Sequence, residues 1–189
     1  MAANTPPTHV QRVHPGGFFW TVQRADRLAH IARFVAQTRQ LAIIASSDAE
    51  VSSHAERLKL SGVPVHQAMS DSPSSVLETY LAEPATTLIA PHEYLVENGP
   101  VPVPMAVHLR AARSVRQYAK RLDALPAAVH LTFVIPEDDQ RASSLQAHFE
   151  HDEGHGGPSD VTVTDVIDLT DSDQVAVLST HRRRFPLGR

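Results

Sequence analysis

The stretch Leu41–Gly62, LAIIASSDAEVSSHAERLKLSG, decides the fold, because a short apolar run passes directly into an amphipathic helix. The apolar residues Leu41–Ala45 are too few for a helix and are typical of a strand covered on both faces. The polar residues 46–48 can accept hydrogen bonds from the first free N–H groups of a helix. Apolar residues then recur at helical spacing, at Val51, Ala55 and Leu58. With Gly62 as a typical helix-ending residue, the stretch predicts half of a parallel βαβ unit.

The composition of this 189-residue chain limits the classes to which it can belong. A hydrophobic content of 42% is enough for one sizeable core, so we expect one α/β domain and a tail. The absence of cysteine excludes disulfides, thiolate metal sites and a cysteine nucleophile. A net charge of −4 argues against general coating of nucleic acid, although a local basic face is compatible with it.

The hydropathy pattern also bears on localisation. No stretch is apolar for long enough to cross a membrane, and the N-terminus lacks the apolar core of a signal peptide. We therefore expect no membrane contact and an intracellular protein, which would be cytoplasmic or, in a eukaryote, nuclear.

Strand and helix patterns alternate along the rest of the chain. The predicted strands cover residues 63–66, 86–90, 105–109 and 128–135. The predicted helices cover residues 21–40, 71–81, 114–124 and 137–150, and the proline-rich stretch 91–104 is predicted as a loop. This alternation predicts a three-layer α/β domain with a mostly parallel sheet and helices on both faces.

The chain divides into three predicted regions. Residues 1–8 are expected to be a disordered leader, and residues 9–150 form the α/β domain, which opens with an extended segment broken at Pro15–Gly17. Residues 151–189 begin with the polar break HDEGHGGPSD and continue as a tail. The apolar residues of this tail predict a β-hairpin or an extended peptide that a partner orders.

The order and spacing of these segments resembles the second RecA-like domain of superfamily-two helicases, above all the DEAD-box type. The resemblance covers residues 9–141 and includes LAIIASSD at 41–48, TTLIAP at 86–91 and VHLTFVIPEDD at 129–139. It implies a RecA-like helicase C-terminal domain, which in that family contacts nucleic acid and nucleotide beside a partner domain that carries the phosphate loop.

The family's functional motifs are incomplete in this sequence. Where the family has a Thr-Asp pair after the third strand, this chain has Pro91 and His92, and the following Arg-Gly-x-Asp group falls on residues 96–99 without its arginine. The family's later motif is His-Arg-x-Gly-Arg-x-x-Arg. If Tyr118 is placed on the family's tyrosine, Lys120 and Arg121 take the places of His-Arg, and Asp123 and Ala124 take the places of Gly-Arg. An alignment that follows the strand VHLTFV instead puts Lys120 near one arginine and Asp123 on another. Neither alignment gives a complete pair of arginine fingers.

These departures bear on ATP hydrolysis. Phosphoryl transfer needs positive charge against the developing anion, and one arginine in place contributes about 10³- to 10⁵-fold in rate. Ala124 cannot supply that charge, Asp123 would repel phosphates, and the phosphate-loop pattern G-x-x-x-x-G-K-[ST] is absent from the sequence. We therefore predict no catalytic residue, no cofactor, and neither tight ATP binding nor hydrolysis by this chain alone.

One group of basic residues is a candidate nucleic-acid-binding surface. Its members are Arg110, Arg113, Arg116, Lys120 and Arg121. On a helix, the three at 113, 116 and 120 would share a face and could follow a phosphate backbone with salt-dependent affinity. The alternative interpretation is an ordinary solvated face paired with Asp123 and nearby acids.

Two further groups of residues suggest ligands. Imidazoles and carboxylates suited to Zn²⁺ or Ni²⁺ cluster at His148, Glu150, His151, Asp152, Glu153 and His155, in a stretch predicted as a flexible loop. They show no HExxH pattern, so we expect no functional metal site. His92 with Glu93, and His108 or His130 on strands, could serve as acid/base groups, although a lone histidine on a strand is more often a structural residue.

The tail contains a candidate partner-binding segment. Its residues are Val166, Ile167, Asp168, Leu169 and Thr170, with acidic residues at 171 and 173. The segment resembles a SUMO-interacting motif, which would add a strand to the sheet edge of a SUMO-like protein if the source is eukaryotic. A structural hairpin is the alternative.

Three functional hypotheses follow. The favoured one is a non-catalytic helicase-like module that acts as a protein-binding or assembly subunit, with nucleic-acid contact. The second is an accessory half of a split helicase or ATPase, which completes its site with a phosphate-loop partner. The third is a small α/β enzyme unrelated to helicases, with a ligand above the C-terminal strand ends.

Overall fold

The computed structural model of the protein describes residues 10–14, 17–21, 28, 32 and 39–152. Its strands are β1 (Val10–His14), β2 (Gly17–Thr21), β3 (Leu41–Ala45), β4 (Val65–Gln67), β5 (Thr87–Pro91), β6 (Val103–His108) and β7 (Ala127–Val134). Its helices in these ranges are α1 (Asp48–Leu60), α2 (Ser75–Ala82), α3 (His92–Asn98), α4 (Val115–Ala124) and α5 (Asp139–Asp152). A short 3₁₀ turn, Pro136–Asp138, precedes α5.

The strands form one sheet in the order β1-β2-β7-β6-β3-β5-β4. Every pair of neighbours is parallel except β1 and β2, which are antiparallel at one edge. The central strand β3 lies between β5 and β6. The sheet is therefore mostly parallel, as the alternation of strands and helices predicts.

Helices cover both faces of the sheet. All five residues of β3 are buried, and they alternate between two apolar clusters. Ile43 belongs to the cluster that contains α1, whereas Ile44 belongs to the cluster that contains α2, α3 and the end of α4. A strand covered on both faces needs the unbroken apolar run seen at residues 41–45. The predicted three-layer α/β architecture is confirmed.

A third apolar cluster joins the edge of the sheet to α4 and α5. Tyr118 of α4 packs edge-on against Phe19 of β2, with ring centroids 6.0 Å apart and an interplanar angle of 88°. Leu145 of α5 and Val134 of β7 belong to the same cluster. This cluster fixes α4 against the sheet, and Arg121 lies on the same buried side of α4 as Tyr118.

The stretch 91–104 differs from its predicted loop structure, because residues His92–Asn98 form α3. Tyr94 and Leu95 are fully buried in the second cluster, so packing stabilises a helix that is too short to show a clear period. Strand β4 begins at Val65 rather than Val63, because the Val63 N–H caps α1 and Pro64 has no N–H to donate. Helix α2 begins at Ser75, four residues after its predicted start at residue 71, because Ser72 closes a turn with Met69. The other element boundaries that the structure describes agree with the prediction to within two residues.

Several predictions lie outside the described residues. They include the leader at 1–8, most of the helix at 21–40 and the whole tail from residue 153, with its candidate segment Val166–Thr170. His151 and Asp152, which the sequence assigned to the polar break, belong to α5. Within the described ranges, no helix is both long and apolar enough to cross a membrane.

Candidate functional site

A cleft of about 460 Å³ opens at the carboxyl ends of the central strands. It is lined by Ser46, Ser47, Glu50, His92, Glu93, Arg110, Ala111, Arg113, Gln117, Arg121 and Arg141. These residues follow β3, β5 and β6 or lie on α4 and α5. After β3 the chain builds the β4 side of the sheet and then crosses to β6 on the other side of β3. Such a switch in direction is where open parallel sheets bind their ligands.

The start of α1 forms one wall of the cleft, and the carboxylate of Glu50 lies there. Ser47 caps the helix, since its Oγ accepts a hydrogen bond from the Glu50 N–H at 3.3 Å. The Glu50 carboxylate reaches back, and its Oε2 accepts from the Ser46 N–H at 2.6 Å. A serine cap and a carboxylate of the helix itself thus lie at the helix end that, in phosphate-loop proteins, binds phosphate. An incoming anion must therefore bind on the arginine side.

Arg121 is the buried residue on the arginine side of the cleft. Its side chain lies on α4, is only 4% exposed, and donates from Nη1 to the Arg110 carbonyl oxygen at 2.9 Å. Its Nε–H has no hydrogen-bond partner among the described residues. Burial lowers the pKa of Arg121 to about 10, so the guanidinium is still charged at neutral pH. A buried cation with an unused donor costs stability unless a ligand compensates for it.

His92 lies beside Arg121 at the start of α3. The residue is 9% exposed, and its Nδ1 has no hydrogen-bond partner within the described part of the chain. Burial lowers the pKa of His92, and the positive charges of Arg121 and Lys120 lower it further against the opposing effect of Glu93. His92 is therefore mostly neutral at pH 7 in the empty cleft. A bound anion would favour its protonated form.

The buried carboxylate of Asp138 bonds both to the loop after β6 and to Arg141 on α5. Asp138 is fully buried; its Oδ2 accepts from the Ala111 N–H at 3.2 Å and its Oδ1 accepts from Arg141 Nη1 at 3.0 Å. Across the cleft, Arg110 Nε donates to Glu50 Oε1 at 3.4 Å. Asp138 and Glu50 thus hold two of the arginines in place.

The cleft carries more positive than negative charge. Its lining contains four arginines but only two glutamates, Glu50 and Glu93, in a chain whose net charge is −4. Two of the arginines are paired with carboxylates, whereas Arg113 and Arg121 make no ion pair with any other residue that the structure describes. The arrangement suits an oxyanion, because guanidinium groups bind phosphate through two parallel hydrogen bonds.

The structure separates the basic residues proposed from the sequence into two groups. Arg110, Arg113 and Arg121 line the cleft, whereas Arg116 and Lys120 are exposed on α4 and do not line it. Arg141, His92 and Glu93 complete the lining and were not in the predicted group. For Arg141 a weak sequence signal exists, since Asp138 precedes it by three residues on a predicted helix.

The other histidines take structural positions. His108 and His130 are buried on neighbouring strands, with His108 Nε2 3.1 Å from His130 Nδ1 and a His108–Tyr118 centroid distance of 5.5 Å. Of the cluster proposed as metal ligands, residues 148–152 lie on α5 rather than in a loop. Within the described ranges, no group of three or more histidine, aspartate or glutamate residues is arranged to hold a metal ion.

Comparison with known proteins does not assign this chain to a family. No protein-family model matches this chain, and no curated protein matches it either. The resemblance to helicase domains therefore stays a prediction, and the geometry of the cleft is the basis for assigning a function.

Proposed function

We propose that this protein is a non-catalytic, helicase-like binding module whose cleft holds a phosphate of the backbone of a nucleic acid. The observation that carries the proposal is the excess of arginine at the carboxyl ends of the central strands, with Arg121 buried and incompletely hydrogen-bonded. Phosphate contacts of this kind give salt-dependent affinity without sequence preference.

Two observations support binding without turnover. The Glu50 carboxylate accepts from the Ser46 N–H just before α1, so a negative charge already lies at this helix N-terminus and disfavours a phosphate there. Asp123 and Ala124, which fall where the helicase family has Gly-Arg, do not line the cleft. The cleft thus offers positive charge for holding an anion, whereas the position of the family's later arginine is taken by Ala124, which lies outside the cleft.

The assembly role extends this proposal to a protein partner. The same chain carries the tail segment Val166–Thr170, which by its sequence would add a strand to the sheet of a SUMO-like protein. A module that holds nucleic acid in its cleft and a protein through its tail would connect the two. Deletion of residues 153–189 should then leave nucleic-acid binding intact and abolish partner capture.

A second candidate function is the accessory half of a split ATPase. It is favoured by the position of Arg121, a buried cation in the cleft at a place that the helicase alignment gives to the His-Arg pair. An ATPase assay of a phosphate-loop partner with and without this chain separates the two functions. Stimulation that Arg121→Met abolishes would favour the split enzyme over the binding module.

The nucleic-acid proposal is tested by fluorescence anisotropy of a labelled single-stranded oligonucleotide at two salt concentrations. Arg113→Gln should weaken binding about 10-fold, since a hydrogen bond to a charged group contributes about 1.5–3 kcal/mol. Arg116→Gln is the matched control, because it removes the same charge from an exposed part of the same segment outside the cleft. Equal losses in the two variants, or no binding at low salt, would overturn the proposal.

A further inference from the structure

A second, smaller cavity adjoins the cleft at the start of α4. It measures about 170 Å³ and is lined by Ala112, Arg113, Ser114, Val115, Gln140, Arg141, Ser144 and Leu145. Arg113 and Arg141 line both cavities, so the two spaces adjoin at these two residues. We infer that the two cavities form one groove for a ligand with two consecutive phosphate groups, and this inference rests on the proposed function.

The smaller cavity has room for a second phosphate. At roughly 30 Å³ per water molecule, its volume corresponds to five or six waters, which is comparable to one phosphate group with its oxygens. A ligand with a single phosphate would occupy only the cleft and would leave this space to solvent. The volume therefore leaves room for a second phosphate of a ligand that extends beyond the cleft.

The donors of the smaller cavity also suit an anion. It lies at the N-terminus of the ten-residue helix α4, where the partial positive charge of the helix adds to that of the two arginines. The Ser114 Oγ accepts from the Gln117 N–H at 3.1 Å, and the Gln117 side-chain oxygen accepts from the Arg113 N–H at 2.7 Å. These bonds fix the turn that carries Arg113. No acidic residue is among the residues that line this cavity.

The shared arginines explain why two phosphates would bind better than two separate anions. Arg141 pairs with the buried Asp138 at 3.0 Å, which favours one orientation of its guanidinium beside the two cavities. Arg113 is exposed and lines both cavities, and its guanidinium carries several N–H donors. Consecutive phosphates are close enough together to share such a pair, and the second contact then forms at high effective concentration.

The test compares inorganic orthophosphate, pyrophosphate and a 5′-phosphorylated dithymidine by calorimetric titration of the full chain. The variant Ser144→Glu puts a carboxylate at the smaller cavity while it leaves the lining of the cleft unchanged. Ser143→Glu is the matched control. Ser143 neighbours Ser144 on α5, its hydroxyl makes the same type of bond to a carbonyl four residues earlier, and it lines neither cavity.

The expected result is selective. Ser144→Glu should weaken pyrophosphate binding about 10-fold and orthophosphate binding much less, whereas Ser143→Glu should leave the ratio of the two affinities unchanged. A Ser144→Gln variant should behave like the control, which would assign the effect to charge. The dithymidine titration shows which kind of ligand supplies the two phosphates. If Ser144→Glu weakens dithymidine binding, the ligand is a nucleic-acid strand. If Ser144→Glu weakens only pyrophosphate binding, the ligand is a free diphosphate.

Two results would contradict the inference in distinguishable ways. If orthophosphate binds and its ratio to pyrophosphate is the same in Ser144→Glu and Ser143→Glu, the single-phosphate cleft stands and the two-phosphate groove is wrong. If none of the three probes binds at low salt, the proposed function fails together with the inference.

Discussion

At the scale of single residues, Arg121 is the clearest case of a side chain that lowers the stability of the fold while it provides a charge for binding. Its guanidinium is buried with one hydrogen bond from Nη1, and its Nε–H has no partner within the described ranges. A charge in such a place is desolvated without full compensation, which destabilises the fold. Such a destabilising residue is typical of a binding site.

Replacement of this residue by an apolar one should separate the two effects. Arg121→Met keeps much of the volume and removes the buried charge, so the free energy of unfolding should stay within about 1 kcal/mol of wild type or rise. Oligonucleotide affinity should fall about 10- to 100-fold, because charged hydrogen bonds of about 1.5–3 kcal/mol are lost. Chemical denaturation and anisotropy on the same samples measure both. A strongly destabilised variant would show that Arg121 is a structural residue instead.

His92 gives the cleft an expected pH dependence. Its pKa lies below the ordinary value of 6.5 because of burial and the nearby Arg121, so protonation in the empty protein occurs only at more acid pH. A bound anion favours the imidazolium, and sulfate affinity should therefore rise as the pH falls below about 6.5. Sulfate is the suitable probe, since it does not itself titrate in this range. The charged groups lining the cleft around His92 are Glu50, Glu93, Arg110, Arg113, Arg121 and Arg141.

A titration of sulfate at pH 7.5 and 5.5 measures this effect. In His92→Gln the affinity should change much less between the two pH values, because the side chain can no longer gain a charge. If the variant keeps the full pH dependence, another group is responsible and His92 does not contribute to anion binding.

At the scale of elements, the strand-turn-helix unit at 41–62 follows its sequence closely. The N-terminus of α1 is capped by Ser47, one of the polar residues expected there. Its C-terminus is a Schellman motif, in which the Gly62 N–H donates to the Lys59 carbonyl at 2.9 Å and the Val63 N–H to the Leu58 carbonyl at 3.0 Å. Gly62 has a φ of +76°, as this motif requires. These features depend on neighbouring residues only, and sequence is sufficient to predict them.

A substitution at this helix end tests the local account. Gly62→Ala meets no atom within 4 Å, so its cost comes from the positive φ alone and should be about 1 kcal/mol, or a fall in Tm of about 2–4 °C. Ser52→Ala on the exposed face of α1 is the control and should change stability by less than about 0.5 kcal/mol. Equal stability of Gly62→Ala and wild type in thermal unfolding would contradict the Schellman geometry.

Helix α3 shows where sequence pattern fails at this scale. Seven residues give less than two full helical turns, and the prolines around them favoured a loop. The helix forms because Tyr94 and Leu95 bury their side chains in the second cluster and Tyr94 Oη donates to the Pro73 carbonyl at 2.9 Å. Tertiary contacts of this kind cannot be read from a short window of sequence.

At the scale of the whole molecule, the parallel sheet followed from the alternation of strand and helix patterns, but the cleft did not. Its lining comes from segments as far apart as Ser46 and Arg141, and only the strand order brings these together. The sequence grouped five basic residues by their nearness along the chain and placed three of them, Arg113, Arg116 and Lys120, on one helix face. The fold instead selects three of the five, leaves Arg116 and Lys120 outside, and adds Arg141 from another helix.

The most direct measurement is an NMR titration of the ¹⁵N-labelled protein with orthophosphate at low salt. We expect saturable shifts of the amide signals that surround the cleft, above all those of His92, Ala111 and Arg113, while exposed residues of α2 such as Glu78, which do not line it, stay unchanged. In Arg121→Met these shifts should need a much higher phosphate concentration. Shifts that are absent, or that centre on a surface away from the carboxyl ends of β3, β5 and β6, would contradict the assignment of this cleft as a phosphate site.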